Sequence, residues 1–284
     1  MEGIKISLLD AFINAALRED IKDGDHTSLA CIEASAVDEA QLIVKDSGVI
    51  AGVEFAQYVF KKLDPQCEFE LLIPDGTQVK YGDIAFRVKS FAQTLLKGER
   101  LVLNTMQRLS GVATMSRKFA ELVGDLDVTI LDTRKTTPLM RFLEKWAVRV
   151  GGSTNYRDGL YDWIMIKDNH VDASGGIAKA IERVHSYLSE KNMELNITVE
   201  VRNIEELNQV LDTGGITRIM LDNFDLDNLK KAVDIIDGRF ESEASGGVNL
   251  STVRAIAETG VNFISVGALT HSAGSLDMSL KIIK

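Results

Sequence analysis

The sequence has few of the residues that build disulfide scaffolds, structural zinc sites or disordered linkers. It contains two cysteines, Cys31 and Cys67, which stand 36 positions apart with no CxxC pair and no histidine at ligand spacing. Only three prolines occur in 284 residues. These absences argue against a disulfide-rich secreted domain and against long disordered linkers. They predict a folded protein of a reducing, cytoplasmic compartment.

Long apolar runs and an excess of positive charge are absent as well. No run approaches 18 consecutive apolar residues, and the N-terminal segment MEGIKISLLDAFINAALRED is typical of an amphipathic helix rather than of a signal peptide. The formal net charge is −10, whereas a nucleic-acid binder needs a basic surface to neutralise phosphates. We therefore expect no membrane span and no nucleic-acid partner.

From about residue 127 onward, short apolar strands alternate with helical patterns. The predicted strands are VTIL, WIMI, ITVEV, RIMLD, FESEAS and FISV. Such alternation implies parallel strands covered by helices, and no G-x-G-x-x-G motif follows a strand, which argues against a dinucleotide-binding Rossmann sheet. Polar residues follow each strand, where (β/α) barrels keep their chemistry. A barrel is therefore favoured over a doubly wound sheet.

The first hundred residues have a different pattern, with hairpin-like strands and one helix, which is typical of an α+β unit. We therefore predict two domains, 1–112 and 113–284, with the C-terminal end able to pack back on the first. In the second domain a helix is expected from Pro138, with threonine caps before it. Its apolar face is predicted to include Leu139, Phe142, Leu143, Trp146 and Val150.

Positive charge is concentrated between Arg134 and Lys167, although the whole chain is acidic. This stretch has seven basic and three acidic residues, so it carries a charge of +4. Arg134 and Lys135 follow the strand VTIL, and Lys167 follows WIMI, so both groups are placed at strand ends. They predict a pocket for a small, highly charged anion. Solvated helix faces with salt bridges remain the alternative.

Acidic residues and glycine turns follow the later strands. Glu200 and Asp222 could hold Mg²⁺, accept from sugar hydroxyls, or form structural ion pairs with the lysines. Glycines after the last two strands could let backbone N–H groups approach a phosphate. The candidate phosphate residues are Ser245, Gly246, Gly247, Gly267, Ala268 and His271.

These motifs resemble those of the nicotinate-nucleotide pyrophosphorylase, or quinolinate phosphoribosyltransferase, family. The similarity rests on DTRKTTP, LEKWAVRVGGSTNYRDGL and IMIKDNHV, supported by GERLVLNTMQRLSGVAT, VEVR, MLDNF, EASGGV and VGALTHSA. It implies an N-terminal open-faced α/β sandwich and an incomplete seven-stranded (β/α) barrel. It also implies a pentosyltransferase that joins quinolinate to phosphoribosyl pyrophosphate with Mg²⁺, in a homodimer with shared active sites or a higher oligomer.

The resemblance also implies a role for each matching residue. Arg134, Arg157 and Lys167 would bind the carboxylates of quinolinate, and Arg100 would reach the site from the other subunit. Lys135, Glu200 and Asp222 would serve the ribose, pyrophosphate and Mg²⁺. The full predicted site consists of Arg100, Thr133, Arg134, Lys135, Tyr156, Arg157, Lys167, Glu200, Asp222, Ser245, Gly246, Gly247, Gly267, Ala268 and His271, with Lys135, Lys167, Glu200 and Asp222 catalytic.

The chain departs from the family pattern at two positions. Tyr156 stands where the family usually has histidine in an Asn-His-Arg motif, and a phenol carries no positive charge near neutral pH. Leu139 stands where a glycine usually follows the proline. Three other functions stay open: a phosphoribosyltransferase for another heteroaromatic acid such as nicotinate, a Schiff-base lyase that uses Lys167 or Lys135, and a non-catalytic anion-binding homologue.

Overall fold

The computed structural model of the protein describes residues 1–283. The helices are α1 Ile6–Ile21, α2 His26–Cys31, α3 Val53–Leu63, α4 Ala92–Leu122, α5 Arg141–Val150, α6 Asp168–Ser174, α7 Ile177–Lys191, α8 Ile204–Thr213, α9 Leu226–Ile236, α10 Val253–Ala257 and α11 Ala268–His271. The strands are β1 Val37–Val44, β2 Gly48–Val49, β3 Glu68–Leu71, β4 Gln78–Val79, β5 Ile84–Phe91, β6 Thr129–Leu131, β7 Ile164–Ile166, β8 Ile197–Val201, β9 Arg218–Asp222, β10 Glu241–Ser245, β11 Phe263–Ser265 and β12 Met278–Ile282.

The chain forms two compact units, each assembled from separate stretches. The first unit holds residues 1–117, 137–152 and the chain from residue 272 onward, and the second holds residues 118–136 and 153–271. The domains predicted from the sequence are two continuous stretches that meet near residue 112, and that division stays a prediction. Among the helices of residues 1–283, none combines the length and the apolar character needed to cross a bilayer.

An antiparallel sheet of order β12-β1-β5-β3 lies at the centre of the first unit. Along β1, Ala40, Leu42 and Val44 are buried while the residues between them are less so, the period of a sheet with one covered face. Phe60 of α3 meets Phe86 of β5 with ring centroids 6.3 Å apart, so α3 packs on this sheet. The predicted N-terminal α/β sandwich is therefore present, and β12 joins it by pairing with β1.

Six parallel strands, in the order β6-β11-β10-β9-β8-β7, form the sheet of the second unit. Leu131 of β6 also pairs with Thr154 in a single parallel bridge, which takes the place of the predicted seventh strand. Arg218 in β9 contacts the rings of Trp163, just before β7, and of Phe263 in β11. Both β7 and β11 lie two strands away from β9, on opposite sides. Arg218 can contact residues near both of them only if the sheet curls around its interior. The predicted incomplete (β/α) barrel is confirmed, with its seventh strand reduced to one bridge.

The helix after the first basic motif starts later than predicted, which corrects the sequence analysis. Pro138 and Leu139 form a turn before α5 rather than its first residues. Leu139 has a φ of 64° and is 87% exposed, so it does not belong to the predicted apolar face. The N–H and Oγ1 of Thr137 donate to the buried carboxylate of Glu144 at 3.1 and 2.7 Å. These bonds fix the turn, and the expected threonine cap is not formed.

We expect Leu139→Gly to raise the free energy of unfolding by about 1 kcal/mol. A left-handed backbone costs other L-residues roughly 1–2 kcal/mol but glycine little, and the greater entropy of glycine in the unfolded chain offsets part of the gain. The exposed leucine side chain loses little buried area. Denaturant unfolding measures the change, with Leu8→Gly in helix α1 as a control that should lose stability. A lower stability of Leu139→Gly would contradict this interpretation of the turn.

Candidate functional site

The site residues predicted from strand ends lie at the carboxyl edge of the parallel sheet, which is the catalytic edge of (β/α) barrels. Asp222 closes β9 and Ser245 closes β10, and the two are register partners. Glu200 of β8 pairs with Met220, which places it one layer deeper than Asp222. Side chains alternate between the faces of a strand. Glu200, Asp222 and Ser245 therefore project from the same, interior face.

Two carboxylates and a lysine form the acidic side of this edge. Lys167 Nζ lies 3.3 Å from Glu200 Oε2. Burial raises the pKa of Glu200, the charge of Lys167 lowers it, and the charge of Asp222 raises it again. Asp222 accepts hydrogen bonds from Ser245 Oγ and Asn223 Nδ2, both at 2.6 Å. Carboxylates that repel each other in this way are suited to share a cation or to accept from hydroxyl groups.

Glu200 and Asp222 are the residues whose chemistry suits Mg²⁺. This ion prefers oxygen ligands and is often held by one or two carboxylates, with water and substrate phosphates completing its octahedron. Among the described residues, no group of three or more His, Cys, Asp or Glu side chains could hold a metal. The two carboxylates therefore fit an ion that binds together with a phosphorylated substrate, and Mg²⁺ stays a proposal.

Two arginines form the basic side of the site. Arg157 is only 8% exposed, and its Nη1 donates to the carbonyl oxygen of Trp163 at 3.2 Å while its Nη2 contacts Met165 Sδ at 3.4 Å. Burial lowers the pKa of Arg157, and the positive charge of Arg134 lowers it further. Since the two guanidinium groups repel each other, an anion with two negative groups would stabilise them both.

A buried aspartate joins the two segments that carry these arginines. Asp132 is fully buried and accepts from Asn155 Nδ2 at 2.6 Å and from the backbone N–H of Tyr156 at 2.9 Å. Asp132 lies two residues before Arg134, and Tyr156 lies directly before Arg157. The carboxylate therefore fixes both arginines relative to each other, a role that the sequence analysis did not predict.

Lys135 lies over the glycine turn that follows β11. Its N–H donates to Thr133 Oγ1 at 3.1 Å, and its carbonyl oxygen accepts from Thr270 Oγ1 at 2.7 Å. A Cβ atom on Gly267 would come within 3.0 Å of Lys135 Cδ and of the His271 ring. Glycine at this position therefore allows two nitrogen-bearing side chains to converge on one turn.

The turn after β10 supplies backbone N–H groups to the same edge. Gly246 and Gly247 have φ of 94° and 61°, which favour glycine. A Cβ atom on Gly246 would overlap with Asn223 Oδ1. Successive N–H groups in such turns can form a concave site for an anion. Ala268, also predicted at the phosphate site, starts α11 directly after Gly267.

Arg100 is the one predicted site residue that lies in the first unit. It is exposed on α4, whereas all other predicted site residues belong to the second unit. The resemblance assigned Arg100 to the site of a partner subunit, and that role stays a prediction.

A buried polar network lies beneath the site and was missed in the sequence analysis. Glu243 of β10 is fully buried and accepts from Arg218 Nη1 at 3.2 Å and from Ser265 Oγ. The Tyr156 hydroxyl forms a hydrogen bond with Thr198 Oγ1 at 2.6 Å, and burial and the charge of Glu243 raise the pKa of Tyr156. The predicted contact of Tyr156 with a substrate carboxylate stays a prediction, because here its hydroxyl is directed into this network.

One signal in the sequence could have revealed the network. Glu243 shares the strand face of Ser245 in FESEAS, so a site at Ser245 places Glu243 in the barrel interior. A charged residue in the interior needs a partner. Arg218, at the start of RIMLD on the neighbouring strand, was the available cation.

Comparisons with known proteins agree with the geometry of the site. The family model described as "Quinolinate phosphoribosyl transferase, N-terminal domain" matches residues 25–110, and the corresponding C-terminal domain model matches residues 112–281. "Quinolinate phosphoribosyltransferase [decarboxylating] 1b" from Nicotiana tabacum is 44% identical over 96% of this chain and 82% of its own length. "Nicotinate-nucleotide pyrophosphorylase [carboxylating], chloroplastic" from Arabidopsis thaliana has the same identity and coverage.

A solved structure gives the same result in three dimensions. NadC from Streptococcus pyogenes, known from a crystal structure, is 35% identical in sequence to this chain. The structural match covers 100% of both chains with a TM-score of 0.93. The two domain models together span most of the described residues, and they match in the order that the sequence motifs predicted. The chain belongs to the quinolinate phosphoribosyltransferase family.

Proposed function

We propose that this protein is a decarboxylating quinolinate phosphoribosyltransferase of de novo NAD biosynthesis. It would convert quinolinate and phosphoribosyl pyrophosphate into nicotinate mononucleotide, pyrophosphate and carbon dioxide. The observation that carries this proposal is that Asp132 ties together the segments of Arg134 and Arg157, in the unit whose strand ends carry Glu200, Asp222 and the turn at Gly267. A pyridine with two adjacent carboxylates complements such a pair better than a monocarboxylate does.

Quinolinate is proposed to bind on the basic side of the edge. Arg134, Arg157 and Lys167 would hold its two carboxylates, and Arg100 of a second copy would complete the contacts. Held in this way, the pyridine nitrogen points at C1 of the ribose, and this fixed geometry lowers the entropic part of the barrier.

Phosphoribosyl pyrophosphate is proposed to bind across the acidic side. Lys135 and Thr133 would contact the pyrophosphate, and Glu200 and Asp222 would face the ribose. The bond from C1 to the pyrophosphate oxygen breaks as the pyridine nitrogen bonds to C1, and the carboxylates stabilise the positive charge that develops on the ribose. When bound, Mg²⁺ neutralises the charge on the pyrophosphate oxygens. The 5′-phosphate would lie among Ser245, Gly246, Gly247, Gly267, Ala268 and His271.

Carbon dioxide then leaves from the ring position next to the nitrogen. The electron pair of the broken carbon–carbon bond stays on the ring carbon, where the positive nitrogen stabilises it until the carbon takes up a proton. Decarboxylation therefore depends on prior formation of the bond to C1, so carbon dioxide should appear only when both substrates are present.

The choice of heteroaromatic acid tests the proposed substrate. Purified protein with phosphoribosyl pyrophosphate and Mg²⁺ should form nicotinate mononucleotide from quinolinate at a kcat/KM much higher than from nicotinate. Equal or better use of nicotinate would instead favour a transferase for monocarboxylates. Borohydride trapping of a carbonyl substrate on Lys135 or Lys167 would favour the lyase.

We expect Mg²⁺ to bind tightly only together with a diphosphate. Since the protein offers two carboxylates, Mg²⁺ alone should bind weakly, and pyrophosphate should strengthen its binding at least about tenfold by supplying further oxygen ligands. Calorimetry with Mg²⁺, with and without pyrophosphate, measures this coupling. Asp222→Asn should reduce the coupling, whereas Asp227→Asn on the exposed start of α9 should not. Equal affinity in both titrations would contradict the proposed ligand set.

The assembly and location proposed from the sequence are a cytoplasmic homodimer with shared sites, and a higher oligomer would be compatible with it. If Arg100 acts in the partner's site, mixing inactive Arg100→Ala and Lys167→Ala proteins should restore activity, and no gain on mixing would contradict shared sites. Since an Arabidopsis relative is named as chloroplastic, cell fractionation must decide the location.

A further inference from the structure

Arg218 is a buried cation inside the second unit that the proposed chemistry does not use. It opens β9, at the opposite end of the strand from Asp222, and it is 5% exposed. Its guanidinium carbon lies 3.7 Å from the ring centroid of Phe263, 5.1 Å from that of Tyr156 and 5.2 Å from that of Trp163. Such contacts orient a guanidinium and the rings around it.

The charge of Arg218 is matched by a buried carboxylate. Its Nη1 donates to Glu243 Oε2 at 3.2 Å, and its Nε donates to Glu241 at the edge of the sheet at 2.9 Å. Burial raises the pKa of Glu243, and the hydrogen bond from Ser265 and the charge of Arg218 lower it. Removing one member of a buried pair leaves the other charge without compensation. The negative charge of Glu243 is therefore compensated by Arg218.

Tyr156 is linked to Trp163 through a threonine. The Tyr156 hydroxyl and Thr198 Oγ1 share a hydrogen bond at 2.6 Å, and burial and the charge of Glu243 raise the pKa of Tyr156. Thr198 Oγ1 in turn accepts from Trp163 Nε1 at 2.9 Å. Thr198 therefore joins the Tyr156 hydroxyl to the Trp163 ring, and both rings lie beside the guanidinium of Arg218, the partner of Glu243.

The same two aromatic residues determine where Arg157 lies. Tyr156 is its neighbour in the chain, and the carbonyl oxygen of Trp163 accepts from its Nη1 at 3.2 Å. Arg218 lies against both rings. We propose that Arg218 is a positioning residue, which acts through Glu243, Tyr156 and Trp163 to hold Arg157 in place for a dicarboxylate. This inference rests on the proposed function and adds to it a residue that does not contact the substrate.

The residue at position 156 explains why a buried cation is needed. A phenol carries no positive charge near neutral pH, so Tyr156 cannot offset the negative charge of Glu243. Arg218 supplies the positive charge. The quinolinate side of the site then depends on a cation one layer below it.

The test compares the two substrates in Arg218→Met, which keeps the apolar stem but removes the charge. We expect the KM for quinolinate to rise by about tenfold or more, as for one misplaced charge-assisted contact, and the KM for phosphoribosyl pyrophosphate to change by less than about twofold. A merely structural defect would not separate the two substrates. An unchanged KM for quinolinate, or an equal rise in both values, would overturn the proposal.

Rescue and control variants complete the test. In Arg218→Met with Glu243→Gln, a neutral amide replaces the buried carboxylate, so no uncompensated charge lies beside Tyr156 and the KM for quinolinate should return towards the wild-type value. A double variant as impaired as Arg218→Met would overturn the proposed route through Glu243. The control Arg254→Met removes a surface cation that pairs with Asp125 and Glu258 in the same unit, and neither KM should change.

Two further comparisons keep the test decisive. If Arg218→Met does not fold, Arg218→Gln takes its place, because it also removes the charge but keeps a polar group beside Glu243, and a KM for quinolinate that stays at the wild-type value would overturn the proposal. Wild-type protein that does not convert quinolinate overturns the proposed function. Wild-type conversion with an unaffected Arg218→Met overturns the positioning role alone.

Discussion

Arg157→Ala is expected to weaken the binding of quinolinate by about 10- to 100-fold, with a smaller effect on phosphoribosyl pyrophosphate. Each charge-assisted hydrogen bond to a carboxylate contributes on the order of 1.5–3 kcal/mol, and every 1.4 kcal/mol is about a factor of ten. Arg157 is buried and already held by the carbonyl oxygen of Trp163, so its guanidinium would lose little entropy on binding. Calorimetric titration of quinolinate measures the effect.

Several variants separate this effect from a general loss of folding. Arg134→Ala should act in the same direction, and Arg157→Lys should restore only part of the affinity, because an ammonium group cannot form the two parallel bonds of a guanidinium. Arg183→Ala, on the exposed surface of α7 in the same unit, should bind quinolinate as the wild type does. Unchanged affinity for quinolinate in Arg157→Ala would contradict its assignment.

Glu200→Gln is expected to lower kcat by about 10²- to 10³-fold, as for loss of one preorganised electrostatic group at a reacting centre. The variant removes the partner of Lys167 and one of the two carboxylates that face the ribose. Saturating concentrations of both substrates and Mg²⁺ isolate kcat from binding. The matched control is Glu205→Gln, on the exposed first turn of α8, which should keep full activity.

The pH profile gives Glu200 a second signature. Burial raises the pKa of Glu200, so on acidification its carboxylate takes up a proton at a higher pH than an ordinary glutamate does. The activity that depends on the charged form is therefore present above this raised pKa and is lost as the pH falls through it. The acid limb of kcat/KM, which reports the free enzyme, should disappear in Glu200→Gln. An unchanged acid limb in the variant would show that another group controls it.

Much of the barrel could be predicted because its strands are short apolar runs with polar ends. RIMLD and ITVEV became β9 and β8, and the strand ends brought Lys167, Glu200 and Asp222 to one edge as expected. In a parallel sheet, the strand ends meet at one edge whatever the details of the helices. The predicted seventh strand is only the bridge of Leu131 with Thr154. A single pairing has no apolar run, so the sequence pattern could not reveal it.

The turn at Leu139 could not be predicted from hydrophobic periodicity. The period placed Leu139 on the apolar face of a helix, but its positive φ ends that pattern before the helix begins. The helix start is fixed instead by Glu144, which lies on the buried side of α5 and accepts from Thr137. Such a contact from within the helix back to its preceding turn replaces the usual cap, and composition gives no sign of it.

The interior network was beyond the sequence for a different reason. Glu243 and Arg218 lie 25 positions apart and meet only because β9 and β10 are neighbours in register. In FESEAS, the alternation of glutamate with other residues equally suits a strand with one solvated face. Tyr156 was assigned to the substrate by its place in the motif, and that contact stays a prediction, whereas the bond of its hydroxyl with Thr198 was not foreseen.

The most direct test of the central claim is the stoichiometry of the reaction. Purified protein is supplied with Mg²⁺, phosphoribosyl pyrophosphate and quinolinate labelled in the carboxylate next to the nitrogen. We predict equimolar release of labelled carbon dioxide and pyrophosphate, with nicotinate mononucleotide in the same amount, and no carbon dioxide when phosphoribosyl pyrophosphate is left out. Protein that is folded and supplied with Mg²⁺ but forms no nicotinate mononucleotide would contradict the claim.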